Sequence, residues 1–188
     1  MIGGLLLAAG AGTRMGMPKA LVRDDTGQAW LERSVRVLEL GGCDEITVVL
    51  GASSVEAARL VPTGTRVVVA HDWATGMSVS LRAGLEALQE ASSVTAVLVH
   101  LVDLPDVGAG VVRRLAARAT GTTALARACY EGRPGHPVLI GRDHWQGVVS
   151  EIEGDRGARR YLADHETTLI ECGDLATGRD RDRRSQRG

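Results

Sequence analysis

Short aliphatic runs alternate with amphipathic stretches along most of this chain. Four runs are continuously apolar and bounded by turn residues, and they lie at residues 4–9, 46–50, 66–70 and 96–102. A strand in the middle of a parallel sheet is covered on both faces, so it is apolar at successive positions rather than at alternate ones. The pattern therefore predicts four parallel strands that are buried on both faces.

Helical periodicity fills the segments between these runs. Residues 29–40 place apolar side chains near one face and end at two consecutive glycines, which is typical of a helix C-terminus. Residues 78–90 repeat leucines at helical spacing and begin with Ser78, which suits the N-cap position. Residues 108–119 form a third helical segment. This alternation predicts a three-layer, doubly wound α/β fold with a mostly parallel sheet.

The second half of the chain is less regular. Residues 137–140 and 167–172 are expected to form strands, and residues 155–164 a helix. The last ten residues are charged and polar and carry no apolar side chain. We therefore expect a single domain over residues 1–176 and a flexible charged tail over residues 177–188.

Composition narrows the classes of function. Of the 188 residues, 44% are hydrophobic and only 3% aromatic, so the core is expected to be aliphatic. A net charge of −1 argues against the basic field that nucleic-acid binding needs. Three widely spaced cysteines argue against a disulfide framework or a zinc site and favour a reducing compartment. The apolar N-terminal run lacks preceding basic residues and is too short to span a bilayer, so we expect a cytoplasmic protein without a membrane partner.

The first aliphatic run leads into a glycine-rich and basic segment, LAAGAGTRMGMPKAL, at residues 7–21. Ligands of open α/β sheets bind at the carboxyl ends of the strands, and the first turn is a favoured place. Glycines at positions 10, 12 and 16 let backbone N–H groups approach an anion closely. Arg14 and Lys19 add two positive charges. The segment therefore predicts a loop that wraps a polyanion.

Two familiar phosphate-binding motifs do not fit this segment. A P-loop requires Ser or Thr after its Lys, and Ala20 stands there instead. A dinucleotide-binding G-x-G-x-x-G motif requires glycine where Met15 stands, and no acidic residue ends the second strand. Pro18 also argues against an uninterrupted helix through this point. What remains is a long loop suited to a nucleoside triphosphate together with a metal ion.

The segment closely resembles the L-A-A-G-x-x-x-R-[MF]-G-x-x-K signature of the MobA-like nucleotidyltransferases, which have a Rossmann-like nucleoside-diphospho-sugar transferase fold. The resemblance covers nearly the whole chain outside the C-terminal segment. It implies that the catalytic residues are Arg14, Lys19 and Asp103. It also implies that residues of this loop bind the nucleotide, namely Ala8, Ala9, Gly10, Gly12, Arg14 and Lys19.

A second stretch, HDWATGMSVSLRAGL at residues 71–85, resembles a block of the molybdenum cofactor cytidylyltransferase branch. The guanylyltransferase branch has a G-P-L-A-G-type block there instead. The resemblance implies that Gly76, Met77 and Ser78 lie beside the base and favour CTP over GTP. From the residues alone, Ser78 could simply cap a helix. Ser80 and Arg82 could face either the ligand or the outside of that helix.

A third stretch, HLVDLPDV at residues 100–107, places Asp103 at the end of a buried strand. A lone carboxylate there is costly unless it holds a cation, and Mg²⁺ takes one or two carboxylates together with phosphate oxygens and water. Capping of the following helix is the other interpretation, and it suits Asp106 better. The L-x-D-x-P motif of the family agrees with a metal at Asp103.

The resemblance also implies a second metal-binding carboxylate near the C-terminus, at Asp182. Relatives have a D-x-D-T-P-E-D-like segment there, whereas this chain keeps the carboxylate but lacks the Thr-Pro-acid frame around it. The expected cofactor is Mg²⁺, held by Asp103 and Asp182.

Two further stretches, at residues 132–145 and 154–162, match the same branch. By resemblance, His136 contacts the acceptor and Arg159 binds an anionic group on it. From the residues alone, His136 could equally satisfy loop carbonyls, and Arg159 could belong to a solvated helix face.

The reaction that these residues suggest is nucleotidyl transfer, in which a phosphate oxygen of the acceptor attacks the α-phosphorus and pyrophosphate leaves. A phosphate monoester is largely ionised at neutral pH, so no general base is required. The leading hypothesis is transfer of CMP from CTP to a molybdopterin-type phosphate. The alternatives are transfer to a sugar phosphate or another small phosphate, and a non-catalytic nucleotide- or cofactor-binding protein. The altered C-terminal segment favours the last of these, and the joint presence of Arg14, Lys19 and Asp103 disfavours it.

Overall fold

Seven strands form one sheet at the centre of the protein. The computed structural model describes residues 1–90, 93–152 and 157–181. The strands are β1 Ile2–Ala8, β2 Glu45–Leu50, β3 Arg66–Val69, β4 Ala96–Leu101, β5 Leu125–Tyr130, β6 Arg133–Gly141 and β7 Thr168–Glu171. Their order is β3-β2-β1-β4-β6-β5-β7. The β6 strand runs antiparallel to β4 and β5, and the other pairs are parallel, so the predicted mostly parallel sheet is confirmed.

Helices cover both faces of this sheet. They are α1 Trp30–Leu40, α2 Ser54–Ala58, α3 Met77–Gln89, α4 Ala109–Ala116, α5 Arg142–Glu151 and α6 Arg159–Asp164. Successive residues of a strand point to opposite faces. Leu6 accordingly packs in the core layer of α1 and α4, and Leu5 in the layer of α3, α5 and α6. The three-layer α/β architecture is therefore confirmed.

The α3 helix lies close against the sheet at Gly84. A Cβ atom at this position would lie 2.5 Å from Leu5 Cδ1 and 3.0 Å from Val49 Cγ2. The missing side chain therefore lets α3 approach β1 and β2, which places the N-terminus of α3 beside the carboxyl end of β1.

The prediction that residues 66–70 are buried on both faces is wrong. The β3 strand stands first in the sheet order, and Arg66, Val67 and Val69 are exposed. An edge strand has a neighbour on one side only, so an apolar run does not by itself place a strand at the centre of a sheet.

Three elements were not predicted from the sequence, namely α2, β5 and α5. The strand expected at residues 137–140 is longer and begins at Arg133. The helix expected over residues 155–164 is observed from Arg159, and residues 153–156 lie outside the described part of the chain.

The three cysteines are free thiols, and all of them are buried. Burial, together with the negative charge of Asp44, raises the pKa of Cys43 to about 12, so this thiol stays protonated and unreactive at neutral pH. Within the described part of the chain, no helix combines the length and the apolar character needed to cross a membrane.

Candidate active site

A cavity of about 560 Å³ opens at the carboxyl ends of β1 and β4. Its walls come from the glycine-rich loop after β1, the segment at the N-terminus of α3, and the turn after β4. The lining residues that the sequence predicted to bind nucleotide or metal are Ala8, Ala9, Gly10, Gly12, Arg14, Lys19, Gly76, Met77 and Asp103. The structure therefore brings together residues that are up to 95 positions apart, from Ala8 to Asp103.

The glycine-rich loop is anchored by buried side chains and presents its backbone to the cavity. Met15 and Ala20 are buried in the core layer of α1. The amide of Met15 donates to the carbonyl oxygen of Gly12, which has a φ of +59°. Among the described residues, none accepts a hydrogen bond from the amide N–H groups of residues 10–13. These four donors therefore suit an anion.

Lys19 and Asp103 form an ion pair on the wall of this cavity. The Nζ atom of Lys19 donates to Oδ2 of Asp103 at 2.5 Å, and the two side chains are only 18% and 15% exposed. Lys19 is the only lysine of the chain, in which the other basic residues besides histidine are arginines. The only lysine ammonium of this sequence is therefore the group that pairs with Asp103. Arg14 lines the same cavity from an exposed position.

The turn that carries Asp103 is held from both sides. Arg33 of α1 donates through its guanidinium to the carbonyl oxygens of Leu104 and Pro105. From the other side, the amide of Arg181 donates to the carbonyl oxygen of Asp103 at 3.0 Å. The backbone at Asp103 and at the two residues that follow it is therefore fixed by hydrogen bonds.

The sequence suggested that Asp106 caps the helix that follows, and this expectation is wrong. The N-cap residue of α4 is Gly108. Asp106 Oδ2 instead accepts hydrogen bonds from the amide and the hydroxyl of Thr177, at 2.6 and 2.5 Å. Val107 and Gly108 separate Asp106 from α4, and the Asp106 side chain contacts the C-terminal segment instead of the helix. Residues 177–181 thus lie against the turn of Asp103, while the division into a domain and a flexible tail stays a prediction.

The donor set at Asp103 fits a magnesium-type ion. Among the described residues, no three His, Cys, Asp or Glu side chains come together to form an all-protein metal cage. Mg²⁺ keeps several waters and commonly uses one or two carboxylates plus substrate phosphates, so Asp103 on the wall of a cavity with room for phosphate groups and waters suits it. Asp182 lies outside the described residues, and its role as the second metal ligand stays a prediction.

The expectation that Ser78 caps a helix is wrong. The α3 helix begins at Met77, and Gly76 stands at its N-cap position. Ser78 is buried, its Oγ has no partner among the described residues, and it does not line the cavity. Ser80 lines the cavity instead, so the side chain that the sequence left undecided faces the ligand space. Arg82 points elsewhere and donates to the carbonyl oxygen of Ile152.

A second cavity of about 370 Å³ adjoins the first. Leu7, Met77 and Leu101 line both. His136 and Arg159, the two residues predicted to contact an acceptor, line this second cavity, and its wall combines aliphatic residues with polar and charged ones. The structure therefore places both residues in the second cavity, beside the first cavity and not within it.

His136 is neutral in this position. Burial lowers its pKa to about 3, and the charges of Arg127 and Arg159 act in the same direction. Its backbone carbonyl oxygen accepts a hydrogen bond from Tyr130 Oη at 2.6 Å. A neutral imidazole has one donor and one acceptor, so His136 can hydrogen-bond to an uncharged ring of a ligand.

Arg127 is the residue of this second cavity that sequence reasoning missed. It lies in β5, a strand that was not predicted, and its Nε donates to the carbonyl oxygen of Gly135 at 2.8 Å. The sequence feature that could have identified Arg127 is its position as a single charged residue within the otherwise apolar run LARACY. A half-buried arginine is seldom placed in a strand without an anionic or carbonyl partner.

The chain is similar in sequence and structure to several known proteins. The MobA-like NTP transferase domain matches residues 4–168. The nicotine blue oxidoreductase of Paenarthrobacter nicotinovorans is 37% identical over 190 residues, which cover 95% of this chain and 91% of that protein. A homologue of Mycobacterium tuberculosis Rv0371c from Mycobacterium sp. strain JC1 is 27% identical with a TM-score of 0.82, covering 97% of this chain and 90% of that chain. Rv0371c of M. tuberculosis H37Rv in complex with manganese is 27% identical with a TM-score of 0.74, covering 91% and 88% respectively.

Proposed function

The chain belongs to the MobA-like NTP transferase family, and from that premise we propose that it transfers CMP from CTP to a phosphate-bearing acceptor and releases pyrophosphate. The molybdopterin cofactor is the acceptor that the sequence resemblance favours. The observation that carries the proposal is the pair of Lys19 and Asp103 beside four open amide donors, in a cavity large enough for a nucleotide.

Charge stabilisation is the main task of this site. A phosphate oxygen of the acceptor attacks the α-phosphorus, the bond between the α-phosphorus and the bridging oxygen breaks, and pyrophosphate leaves. The acceptor phosphate is already ionised at neutral pH, so no side chain has to remove a proton. The amide donors of residues 10–13, with Lys19 and Arg14, stabilise the negative charge that develops on the leaving pyrophosphate.

A divalent cation is part of this proposal. Asp103 would hold it, with Asp182 as the second predicted ligand, and when bound it would neutralise charge on the phosphates. The manganese complex of Rv0371c supports the use of a divalent ion in the family. Mg²⁺ is the ion that we propose for this chain.

The base lies at the N-terminus of α3 in this proposal. Gly76 and Met77 line the cavity there, and Ser80 adds a hydroxyl that can act as donor or acceptor. Gly51 supports this wall, because a Cβ atom at Gly51 would lie 2.6 Å from Trp73 Cγ and 2.7 Å from the carbonyl oxygen of Ala9. The preference for CTP over GTP, and a contact between Ser78 and the base, remain predictions from the sequence.

The acceptor occupies the second cavity in this proposal. The aliphatic part of its wall suits the ring system of an acceptor, and His136 and Arg159 provide polar contacts. Because the two cavities share Met77 and Leu101, an acceptor can extend its phosphate into the nucleotide cavity.

An oxidoreductase is the second candidate function. The relative from P. nicotinovorans, at 37% identity, carries that activity in its name. The adjoining cavities support this candidate as well, since the first could hold a nicotinamide nucleotide and the second a flat, uncharged substrate against its aliphatic wall.

One experiment separates the two candidates. Pyrophosphate release is measured with CTP, GTP, ATP and UTP, with Mg²⁺ or Mn²⁺, and with and without molybdopterin cofactor. NADH and NADPH oxidation is followed in parallel with a quinone-type dye. We expect pyrophosphate release with CTP and the cofactor, and loss of it in Lys19→Ala but not in Arg118→Gln, an exposed residue that lines neither cavity. The transferase proposal would be overturned if no combination of nucleotide and cofactor released pyrophosphate while a nicotinamide nucleotide was oxidised.

A further inference from the structure

Residues 177–181 form a C-terminal strap that is attached at two points to the turn after β4. At the start of the strap, the amide and the hydroxyl of Thr177 both donate to Oδ2 of Asp106, at 2.6 and 2.5 Å. At its end, the amide of Arg181 donates to the carbonyl oxygen of Asp103 at 3.0 Å. The strap therefore runs along this turn, in the direction opposite to the turn itself.

Between these two points, the backbone of the strap lies on the ring of Tyr130. Gly178 has a φ of +64°, and a Cβ atom there would overlap Tyr130 Cε2. A Cβ atom at Gly135 would lie 2.8 Å from the same ring atom. Tyr130 Oη donates to the carbonyl oxygen of His136 at 2.6 Å. One buried tyrosine therefore connects the strap with the first part of β6.

This arrangement builds one wall of the second cavity. Gly135 and His136 line the cavity from β6, and Gly178 and Asp180 line it from the strap. The residues that line the first cavity lie outside the strap. The strap thus contributes its surface to the cavity that we assign to the acceptor.

Loss of the strap should therefore affect the two cavities differently. The turn of Asp103 has a second support, because Arg33 donates to the carbonyl oxygens of Leu104 and Pro105. The first cavity accordingly keeps its walls and its supported turn without the strap. The second cavity loses part of a wall.

We propose that Asp106 and Thr177 are positioning residues for the acceptor, because they hold the C-terminal strap in the place where it completes the second cavity. Neither residue lines a cavity, so both act through the strap. The attached strap presents the backbone of Gly178 and the carboxylate of Asp180 to the acceptor. This inference rests on the proposed function, since it assigns the acceptor to the second cavity.

Attachment of the strap is measured first, without any ligand. Hydrogen exchange of the Thr177 and Arg181 amides, resolved by NMR, reports the two attachment points separately. In Asp106→Ala we expect both amides to exchange about tenfold faster, although the partner of Arg181 is untouched. Thr177→Ser keeps both donors and should exchange as the wild type does. An unchanged rate at Arg181 in Asp106→Ala would overturn the inference.

Binding of 1-naphthyl phosphate, a flat ring with one phosphate, is the second measurement, and its fluorescence reports the bound fraction. We expect Asp106→Ala to weaken this binding by about tenfold and Thr177→Ser to leave it unchanged. CTP is titrated without a divalent ion, so that the predicted metal ligand Asp182 does not enter, and its affinity should not change. Equal loss of both affinities, or loss of neither, would overturn the inference.

Gly178→Ala displaces the strap without removing any of these hydrogen bonds. Its methyl group would meet the ring of Tyr130, so we expect the same faster exchange and the same weaker binding as in Asp106→Ala. This variant carries the test if Asp106→Ala fails to fold. Glu90→Gln is the control, because it breaks an exposed ion pair with Arg66 away from both cavities, and it should change neither affinity.

The pyrophosphate assay separates this inference from the proposed function. With CTP, we expect the KM of the molybdopterin cofactor to rise about tenfold in Asp106→Ala. Weaker naphthyl phosphate binding in this variant, without pyrophosphate release by the wild-type protein, would retain the role of the strap and reject the transferase proposal. Release with an unchanged KM of the cofactor in Asp106→Ala would retain the transferase proposal and reject the role of the strap.

Discussion

The Nζ atom of Lys19 lies 2.5 Å from Oδ2 of Asp103, although the two residues are 84 positions apart in the sequence. They meet because β1 and β4 are parallel neighbours, so the segments that follow both strands lie at the same edge of the sheet. Each charge neutralises the other in this arrangement. A triphosphate with a divalent cation offers both groups a new partner, since the phosphate can bind the ammonium and the cation can bind the carboxylate.

Replacing either partner of this pair should slow catalysis strongly. We expect Lys19→Ala and Asp103→Ala each to lower the rate of pyrophosphate release by about 10²- to 10³-fold, because each removes a group that stabilises phosphate charge. Pyrophosphate release and circular dichroism are measured on the same preparations. Arg118→Gln serves as the control. Unchanged turnover in either variant with an intact fold would contradict the assignment of the site.

The single lysine permits a chemical test of the same site. An amine-acylating reagent has one internal target, Lys19, besides the terminal amino group of Met1. We expect CTP with Mg²⁺ to slow acylation of Lys19 by about tenfold or more, because a bound triphosphate engages the ammonium. Peptide mass spectrometry measures the extent of acylation of both amines in one sample. Met1 is an internal control, since it precedes β1 and lies at the opposite end of that strand from Lys19.

Acylation of Lys19 at the same rate with and without nucleotide would contradict nucleotide binding at this lysine. Lys19→Arg extends the comparison, because it keeps a positive charge but removes the target. Its guanidinium is planar and larger than an ammonium, so we expect this variant to lose most of the pyrophosphate-releasing activity as well.

The sequence was sufficient to predict that Lys19 and Asp103 lie at the same edge of the sheet, but it did not predict their ion pair. Alternating strands and helices imply a parallel sheet, and a parallel sheet collects the ends of its strands on one edge. The same reasoning could not find Arg127. Its strand, β5, follows a turn-rich segment and carries a charge in its interior, so neither its apolar pattern nor its neighbours identify it as a strand.

The assignment of Ser78 shows a second limit of the sequence. Successive side chains of an α-helix are rotated by about 100° around the helix axis. The side chains of two residues that are two positions apart therefore point in nearly opposite directions. A helix that begins at Met77 therefore buries Ser78 and turns Ser80 towards the cavity. The family resemblance identified the segment, but only the observed start of α3 could assign the side chains.

Gly12 is expected to be essential to the shape of the glycine-rich loop. Its φ is +59°, and a Cβ atom there would overlap the carbonyl oxygen of Met17. We expect Gly12→Ala to lower the free energy of unfolding by about 1–3 kcal/mol, the usual cost of a strained backbone position. Urea unfolding followed by circular dichroism measures the change.

Gly10→Ala is the matched control for Gly12→Ala. No heavy atom lies within 4 Å of a Cβ at Gly10, and its φ is not positive. Its free energy of unfolding should therefore change by no more than about 0.5 kcal/mol. An equal loss of stability in the two variants would show that backbone strain at Gly12 is not the cause.

His100 should make the stability of the protein depend on pH. It is 0% exposed in β4, and burial, helped by the charge of Arg33 from α1, lowers its pKa to about 4. In the unfolded chain the pKa of histidine is about 6.5, so below that pH the unfolded state binds a proton that the native state does not bind. The free energy of unfolding is therefore highest above pH 6.5 and falls as the pH drops from 6.5 towards 4. His136, whose pKa is lowered to about 3, acts with the same sign.

Replacing His100 by leucine should remove most of its share of this pH dependence. We expect His100→Leu to reduce the slope of unfolding free energy against pH by about 1 kcal/mol per pH unit between pH 4.5 and 6. At pH 7 the variant should be no less stable than the wild type, because neither ring nitrogen of His100 has a partner among the described residues. Urea unfolding at four pH values measures both quantities. An unchanged slope in His100→Leu would mean that the buried imidazole is not held neutral, and that Arg33 and burial do not govern its protonation.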